Sequence, residues 1–267
     1  MKLSMTITPH VDKSAPHILL IHGMGSAATA WKPLVPFLEE RFTLVAIDLP
    51  GHGQTPLRDD QPMDPQSLAR LVVKNVEREL GITEFHIVGN SWGGWVSLEI
   101  AAHFPEMTQS VIALAPAGFW LATFNQRFPG HSLLRGLANN TKVLAPTFLK
   151  YEWARKFGFE DVSPQWREFS YELCLDATYA MAGSPGYFPA WDGMLKKRFD
   201  SKIEPSIPVK IIFGDSDKTL PAIACQERAM SPAHAEWIVL EQSGHAPMWD
   251  SAEIVAQHIL ESAEKVS

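Results

Sequence analysis

The chain has 267 residues, 46% of them hydrophobic and 20% charged, and carries a formal net charge of −7. This length suits one large domain, or one domain with a sizeable insertion, around a single buried core. The Lys and Arg residues are scattered and form no basic stripe for a phosphate backbone or an anionic membrane, so neither nucleic acid nor a membrane is expected as a partner.

The cysteines and the N-terminus indicate where the protein works. Cys174 and Cys225 lie outside any metal-ligand spacing and are too few for a disulfide framework, which favours two buried thiols in a reducing compartment. The N-terminal residues lack the apolar segment of a signal peptide, and no stretch approaches the length of a membrane span. The sequence therefore predicts a soluble cytoplasmic protein without a metal or cofactor, and it leaves the oligomeric state open.

Short and almost wholly apolar segments recur along the chain and predict strands buried on both faces, as in a parallel sheet covered by helices. In chain order, the predicted strands lie at 17–21, 42–47, 85–88, 110–114, 209–213 and 236–240. Segments of helical period lie among them, at about 29–40, 65–80, 92–104, 221–230 and 252–265. This alternation is typical of α/β folds.

The alternation stops across residues 118–204, which contain no clear strand and several helix-length pieces broken by Pro and Gly. All four tyrosines, four of the nine tryptophans and nine of the fourteen phenylalanines lie in this segment. The pattern predicts a helical insertion over one edge of the sheet. Most of these aromatic side chains are expected to build the insertion's own small core.

The segment Gly89-Asn90-Ser91-Trp92-Gly93 joins a predicted strand to a predicted helix. A very tight turn at such a junction strains its central residue by about 1–3 kcal/mol. Because the flanking glycines have no Cβ where the strand and helix backbones meet, the turn can present the Ser91 hydroxyl rather than pack it. The positive end of the following helix favours an oxyanion beside it. Ser91 is therefore the predicted nucleophile, and a structural serine is the alternative.

A serine alcohol needs a base and a group that orients the base. Among ten histidines, His245 is the best placed, because it follows the last predicted strand and so lies at the same sheet edge as Ser91; taken alone, it could be an ordinary surface residue. The loop after the preceding strand offers Asp215 and Asp217. Asp217 is favoured as the orienting acid because it lies deeper in the turn, whereas Asp215 could hold the backbone of the turn through its side chain.

A tetrahedral oxyanion needs two donors, and one such donor is commonly worth about 10²–10³ in rate. The N–H of Trp92 is the first candidate, and the N–H of Met24, in the glycine-rich loop after the first predicted strand, is the second. The alternative for that loop is a turn without a role. His22, Asp48 and His52 are expected to support their loops rather than to take part in the chemistry.

With Ser91, Asp217 and His245 in that order, each after its own strand, the sequence resembles the α/β-hydrolase superfamily. The strand-HG-x-G loop, the D-x-P-G-x-G-x-[ST] turn, the G-x-S-x-G-G elbow, the G-x-x-D turn and the S-G-H segment occur in the family's order over nearly the whole chain. The resemblance implies Ser91 as nucleophile, His245 as base, Asp217 as its partner, and Met24 and Trp92 as oxyanion amides.

The resemblance also implies the fold and its divisions. We expect a mostly parallel, doubly wound sheet flanked by helices, with residues 1–117 and 204–267 as the hydrolase core and 118–203 as an inserted helical cap over the substrate pocket. Trp120 and Trp191 of the cap are expected to contact an apolar small-molecule substrate. Because only about sixteen residues precede the first predicted strand, the usual leading hairpin is expected to be trimmed.

The serine at the elbow argues against the dehalogenase and epoxide hydrolase branches, which carry aspartate there. Simple esterases and cofactor-free haloperoxidases are the closer matches, which implies cleavage of a carboxylic ester of a small to medium apolar substrate through an acyl-enzyme. Three alternatives stay open: a carbon–carbon bond hydrolase of aromatic ring-cleavage products, a haloperoxidase or perhydrolase, and a ligand receptor without catalysis. The first shares G-N-S-x-G-G but differs in the loops at 26–28 and 52–53.

Overall fold

The computed structural model describes residues 1–127, 139 and 142–266. Its strands are β1 (Ser4–Thr8), β2 (His17–Ile21), β3 (Thr43–Asp48), β4 (Phe85–Asn90), β5 (Thr108–Leu114), β6 (Val209–Gly214) and β7 (Glu236–Leu240). They form one sheet with the spatial order β1-β3-β2-β4-β5-β6-β7. β1 runs antiparallel to β3, and the other neighbours are parallel. The predicted α/β fold with a mostly parallel sheet is confirmed.

The edge strand β1 is the one strand that the sequence did not predict. Its residues Ser4–Thr8 are half-buried or exposed, because an antiparallel edge strand can leave one face in water. Its sequence therefore lacks the continuous apolar segment that marks the other six strands.

The apolar residues of the central strands fill both faces of the sheet, since successive side chains of a strand point to opposite faces. In β2, Leu19 and Ile21 belong to one core cluster, and Ile18 and Leu20 belong to the other. Each such fully buried aliphatic side chain contributes roughly 1.5–3 kcal/mol relative to an exposed one. This double burial explains why the strand segments are apolar without alternation.

Helices cover the two faces. They are α1 (Val35–Leu38), α2 (Pro65–Leu80), α3 (Trp92–His103), α4 (Ala145–Phe148), α5 (Glu152–Phe159), α6 (Tyr171–Ala182), α7 (Tyr187–Met194), α8 (Ala222–Cys225), α9 (Pro247–Asp250) and α10 (Ala252–Glu264). Helices α2 and α3 pack on one face, and α1 and α10 pack on the other. In the part of the chain that the structure describes, no helix has the length and apolar character needed to cross a bilayer.

Local sequence explains where several helices begin and end. Asp64 caps α2 by accepting a hydrogen bond from the Ser67 N–H at 3.1 Å, and Gly81, at φ +68°, ends it. The helix predicted over 29–40 is instead a 3₁₀ turn followed by α1, because Pro33 and Pro36 lack the N–H groups that a continuous helix needs. The helix predicted over 221–230 is likewise reduced to α8 and a separate 3₁₀ turn.

The segment predicted as a cap, 118–203, contributes α4 to α7 and, among its described residues, no strand. Residues 128–138 and 140–141 of that segment lie outside the described residues. Phe159, Trp166, Phe169 and Cys174 form the centre of a small cluster of buried side chains within the segment. The division into core and cap stays a prediction.

Candidate active site

Ser91 lies between the last residue of β4 and the first residue of α3. Its backbone has φ 55° and ψ −119°, a conformation that is strained for any residue with a Cβ. Two hydrogen bonds hold the turn: the Ser91 N–H donates to Leu114 O at 2.8 Å, and the Ala117 N–H donates to Ser91 O at 2.9 Å. A Cβ at Gly89 would collide with the Gly93 carbonyl. Gly89 therefore allows the close strand-to-helix contact that the sequence indicated. A Cβ at Gly93 would collide instead with the carbonyls of Ile21 and His22, at and just after the end of β2.

His245 and Asp217 form a direct pair. Asp217 Oδ2 lies 2.9 Å from His245 Nδ1, and the other carboxylate oxygen accepts from the N–H groups of Thr219 and Leu220 at 2.9 and 2.8 Å. Burial alone would raise the pKa of Asp217, but the charge of His245 and these hydrogen bonds lower it below its usual value. Asp217 is therefore ionised, and His245 Nε2 is the ring nitrogen that stays available.

Asp215, the other acid in this turn, is exposed and does not contact His245. Its Oδ1 accepts from Ser216 Oγ at 2.9 Å and from the Ser243 N–H at 3.3 Å. The Asp215 N–H donates to Leu240 O at 3.0 Å. These bonds join the turn after β6 to the end of β7, so Asp215 organises the backbone that carries Asp217.

Asn90, which the sequence analysis did not single out, joins the loops of the site. Its Nδ2 donates to His245 O at 3.0 Å and to Leu114 O at 3.2 Å. A Cβ added at Gly23 would lie 3.2 Å from Asn90 Oδ1 and 3.0 Å from the Ser91 Cβ. The elbow, the His245 loop and the glycine-rich loop after β2 therefore meet around one carboxamide, at the carboxyl end of the parallel strands.

The predicted oxyanion donors lie at this meeting point. Within the described residues, the backbone N–H groups of Met24 and Trp92 donate to no other group, so both are available to an external acceptor. Met24, Ser91 and His245 are partly exposed, which leaves the site open to solvent. In the same part of the chain the Ser91 hydroxyl forms no hydrogen bond with His245. Catalytic hydrogen bonds are often long or poorly aligned before substrate binds.

Two buried side chains support the loops around the site. Asp48 accepts from the N–H groups of Ala28 and Gln54 at 2.7 and 2.9 Å, which ties two loops to the end of β3. His22 donates through Nδ1 to Gly23 O at 2.7 Å and accepts the Leu49 N–H at Nε2 at 3.0 Å. Burial lowers the pKa of His22, so it stays neutral. Both have the contacts of supporting residues.

A second network joins the His245 loop to the predicted cap. The His245 N–H donates to Val162 O at 2.8 Å, and the Gly244 N–H donates to Asp250 Oδ2 at 2.7 Å. The Ser163 hydroxyl donates to the other oxygen of Asp250. Burial raises the pKa of Asp250 above its usual value, against the effect of these hydrogen bonds. No motif in the sequence indicated this network, because Ser163 and Asp250 are 87 positions apart.

The two tryptophans predicted to contact substrate are buried in the core. Trp120 donates through Nε1 to Lys197 O at 2.8 Å, and its ring lies 5.5 Å from that of Trp95 and 4.9 Å from that of Phe124. Trp191 packs edge-on against Phe124, with ring centroids 5.7 Å apart. Packing alone explains these positions, so substrate contact by Trp120 and Trp191 stays a prediction.

Comparisons with known proteins agree with this architecture. Human monoacylglycerol lipase ABHD6 is 26% identical over an alignment of 269 positions, gaps included, which covers 92% of this chain and 74% of that protein. A membrane phospholipase A has a similar structure, with a TM-score of 0.71, 23% identity, and coverage of 99% of this chain and 86% of that one. A 2-hydroxy-6-oxo-6-phenylhexa-2,4-dienoate hydrolase from Rhodococcus has a TM-score of 0.69, 22% identity, and coverage of 98% and 100%.

A sequence model described as the alpha/beta hydrolase family matches residues 18–258, which is most of the chain. The matched range contains the elbow serine, the Asp217 turn and the His245 loop. The chain belongs to the alpha/beta hydrolase family and is a hydrolase enzyme.

Proposed function

We propose that this protein is a serine hydrolase that cleaves carboxylic esters of small to medium apolar substrates through an acyl-enzyme. The observation that carries the proposal is the position of Ser91, held at φ 55° in a strand-to-helix turn beside the loop of a paired His245 and Asp217. Strained residues persist where the surrounding structure fixes them, and they cluster at active sites. The Asn90 carboxamide, which bonds the His245 backbone, holds the nucleophile and the base at one edge of the sheet.

Acylation begins when Ser91 Oγ attacks the ester carbonyl carbon and His245 Nε2 takes the hydroxyl proton. His245 Nδ1 faces Asp217, which fixes the tautomer and stabilises the imidazolium that forms. The imidazolium then gives its proton to the alcohol oxygen as the carbon–oxygen bond breaks. The products of this half-reaction are a free alcohol and an acyl ester on Ser91.

The tetrahedral oxyanion is stabilised by the N–H groups of Met24 and Trp92. Both donors are unused within the described residues, and Trp92 is the first residue of α3, where the helix dipole is positive. Deacylation follows the same path: His245 takes a proton from water, the hydroxide attacks the acyl carbon, and Ser91 leaves with the proton. No step needs a metal or cofactor.

The proposed substrate class follows from the walls of the site and from the relatives. A Cβ at Gly25 would lie 2.7 Å from Met181 Sδ and 3.1 Å from the Tyr187 ring, so apolar side chains of the predicted cap lie over the oxyanion loop. Human ABHD6, one of the relatives, is named a monoacylglycerol lipase, and the substrate in that name is an acyl ester. We therefore favour esters with an aliphatic acyl chain. Trp120 and Trp191 are proposed to contact the substrate, as the sequence predicts.

The test is covalent labelling followed by turnover. A fluorophosphonate probe is incubated with wild type and with Ser91→Ala, and intact mass is measured. We expect one adduct per wild-type chain and none on the variant, and p-nitrophenyl esters of increasing acyl length should then give a maximum of kcat/KM at one length. Absence of labelling on folded wild-type protein would reject the proposal. Turnover of a ring-cleavage diketone that exceeds ester hydrolysis would favour carbon–carbon bond hydrolysis by the same triad.

A further inference from the structure

One short segment of the predicted cap concentrates exposed apolar side chains. Six of the sixteen large hydrophobic side chains that are exposed in the described residues fall between positions 143 and 157. We name this surface the aromatic face; it consists of Val143, Leu144, Phe148, Tyr151, Trp153 and Phe157. Val143 is 75% exposed, Trp153 62% and Phe157 74%. A contiguous apolar patch of this kind marks a surface that contacts something else.

Local geometry brings Phe148, Trp153 and Phe157 of the aromatic face together. Trp153 and Phe157 are four positions apart on α5 and therefore project from the same side of the helix. The rings of Trp153 and Phe148 meet edge to face, with centroids 5.8 Å apart, which joins α5 to α4. Phe159 is the buried residue of α5, so the helix attaches to the cap at its end and leaves the aromatic side chains outside.

The charges around the aromatic face are opposite in sign to the protein as a whole. Residues 142–157 contain four basic residues and one acidic residue, on a chain with a net charge of −7. Lys142, Lys150 and Lys156 are exposed. The single acid, Glu152, is paired with Arg167 at 3.2 Å.

Two of these lysines have no competing acid. In the part of the chain that the structure describes, Lys142 and Lys150 form no ion pair. Lys156 lies 3.8 Å from Glu160, which is a weak, exposed pair. The aromatic face therefore has a rim of positive charge available to an anionic surface.

We propose that the aromatic face docks on an anionic phospholipid surface. A helix with Lys and Arg beside Trp, Phe and Leu lies in the plane of the membrane interface, with its apolar side chains among the upper acyl chains and its charges on the headgroups. Tyr and Trp favour this boundary because one end of each is apolar and the other is polar. The aliphatic Val143 and Leu144 suit hydrocarbon and have no use in stacking on nucleic acid bases. This replaces the expectation of no membrane partner; it requires no spanning segment.

The position of α5 connects docking to the proposed function. Phe159 ends the helix, and three residues later Val162 accepts the hydrogen bond from the His245 N–H at 2.8 Å. Docking therefore brings the loop of the proposed base close to the lipid surface. This step rests on the proposed function: the substrate would be an ester with an acyl chain that enters the site from a lipid phase.

The test measures binding and catalysis separately. The protein is sedimented with vesicles of phosphatidylcholine alone and of phosphatidylcholine mixed with phosphatidylglycerol. We expect binding to the mixed vesicles to exceed binding to pure phosphatidylcholine and to weaken as salt is added. Trp153→Glu/Phe157→Glu should lower the partition coefficient about tenfold or more, because two apolar side chains leave the interface.

A matched control carries the same two added negative charges elsewhere. Val11→Glu/Ile254→Glu replaces two exposed apolar residues outside the aromatic face and should bind vesicles within about threefold of wild type. Lys150→Glu/Lys156→Glu should lose binding to the anionic vesicles while changing binding to phosphatidylcholine little. All three variants should hydrolyse a water-soluble p-nitrophenyl ester like wild type.

Several outcomes would overturn the proposal. One is wild-type protein that stays in the supernatant with both vesicle types, and another is equal binding by the aromatic-face variant and its control. A third is a wild-type protein that dimerises and does not bind vesicles, and whose dimer dissociates in the Trp153→Glu/Phe157→Glu variant. That result would assign the aromatic face to a second copy of this chain. Binding is also measured with Ser91→Ala, so failure of the proposed catalysis leaves the docking result intact.

Discussion

Asn90 Nδ2 donates a hydrogen bond of 3.0 Å to the backbone carbonyl of His245, across 155 residues of chain. The same amide group reaches Leu114 O, so the residue that precedes Ser91 fixes the loop of the proposed base relative to the sheet. Asn90 acts on the reaction through His245 and does not itself touch the reacting atoms. It is a positioning residue.

Replacing this carboxamide should therefore impair catalysis more than folding. We expect Asn90→Ala to lower kcat by roughly 10- to 100-fold with a small change in KM, because the base is no longer held in register. Its stability should fall by about 1–3 kcal/mol, because the His245 carbonyl loses this donor, whereas Leu114 O keeps the Ser91 N–H. The measurement is steady-state kinetics on a p-nitrophenyl ester together with denaturant unfolding.

Asn75 offers a control for that experiment. It is also buried and lies away from the site. Its Oδ1 accepts a hydrogen bond from the Leu3 N–H, and its Nδ2 donates to the carbonyls of Met1 and Leu71. Asn75→Ala should lose comparable stability and keep its kcat per folded molecule. Equal loss of kcat in the two variants would show that the effect of Asn90 is general rather than positional.

The two aspartates after β6 should differ sharply in their effect on rate. Asp217→Asn removes the charge that stabilises the imidazolium and favours the wrong tautomer of His245, so kcat should fall about 10³–10⁴-fold. Asp215→Asn keeps most of the turn and should stay within about tenfold of wild type. Steady-state kinetics on both variants show which aspartate supports the reaction, and the thermal midpoint of each variant shows that it is folded. Similar kcat values would remove Asp217 from the proposed triad.

The backbone strain at Ser91 should be measurable as stability. Glycine adopts φ 55° readily, whereas alanine keeps the Cβ that makes this conformation costly. We expect Ser91→Gly to exceed Ser91→Ala in free energy of unfolding by about 1–2 kcal/mol, the strain less the extra entropy of an unfolded glycine. Neither variant should react with the fluorophosphonate. A glycine variant less stable than the alanine variant would mean that Ser91 is not strained.

Asp250 should give the protein a pH-dependent stability. Burial raises the pKa of Asp250, so the native state keeps this proton at pH values at which the unfolded chain, with a pKa near 3.8, has lost it. The native state thus binds more protons, and this group's contribution makes the free energy of unfolding fall as pH rises from about 3.8 through the native pKa.

The Asp250 contribution can be isolated by substitution. Asp250→Asn cannot titrate, so its free energy of unfolding should fall less with rising pH than that of wild type above about pH 4. Asp161→Asn removes one exposed carboxyl from a salt bridge with Lys218 and serves as the control for charge alone. Parallel curves for wild type and Asp250→Asn would contradict the assignment. Denaturant titrations at a series of pH values supply the data.

Local patterns in the sequence were sufficient for the centre of the fold. The five inner strands, β2 to β6, are buried on both faces, so each has an apolar segment that stands out from its surroundings. The edge strand β7 is partly exposed, yet its sequence also contains an apolar segment. Helix α2 follows its prediction because Asp64 and Gly81 mark both ends in the sequence itself. The turn at Ser91 was predictable for the same reason, since Gly89 avoids a collision within one strand–helix pair.

Features that depend on distant contacts were not predictable. The edge strand β1 has no apolar pattern of its own and exists because β3 offers it a partner. The interaction between Val162 and His245 joins two segments with no shared motif. The aromatic face also escaped the sequence analysis, because an aromatic-rich segment has the same composition whether its side chains point inward or outward.

The hydrogen bond between Asn90 and His245 also means that the site is complete only after the C-terminal part of the chain has folded onto the sheet. Strands β2 to β5 could pair and form the elbow before the last quarter of the chain has docked, but the base would then be missing. Contacts of such long sequence separation form late, because the entropy cost of closing a large loop comes before the stabilisation that the contacts provide. Reaction with a fluorophosphonate during refolding should therefore lag behind the recovery of secondary structure. The length of that lag would measure how late β6 and β7 join the sheet.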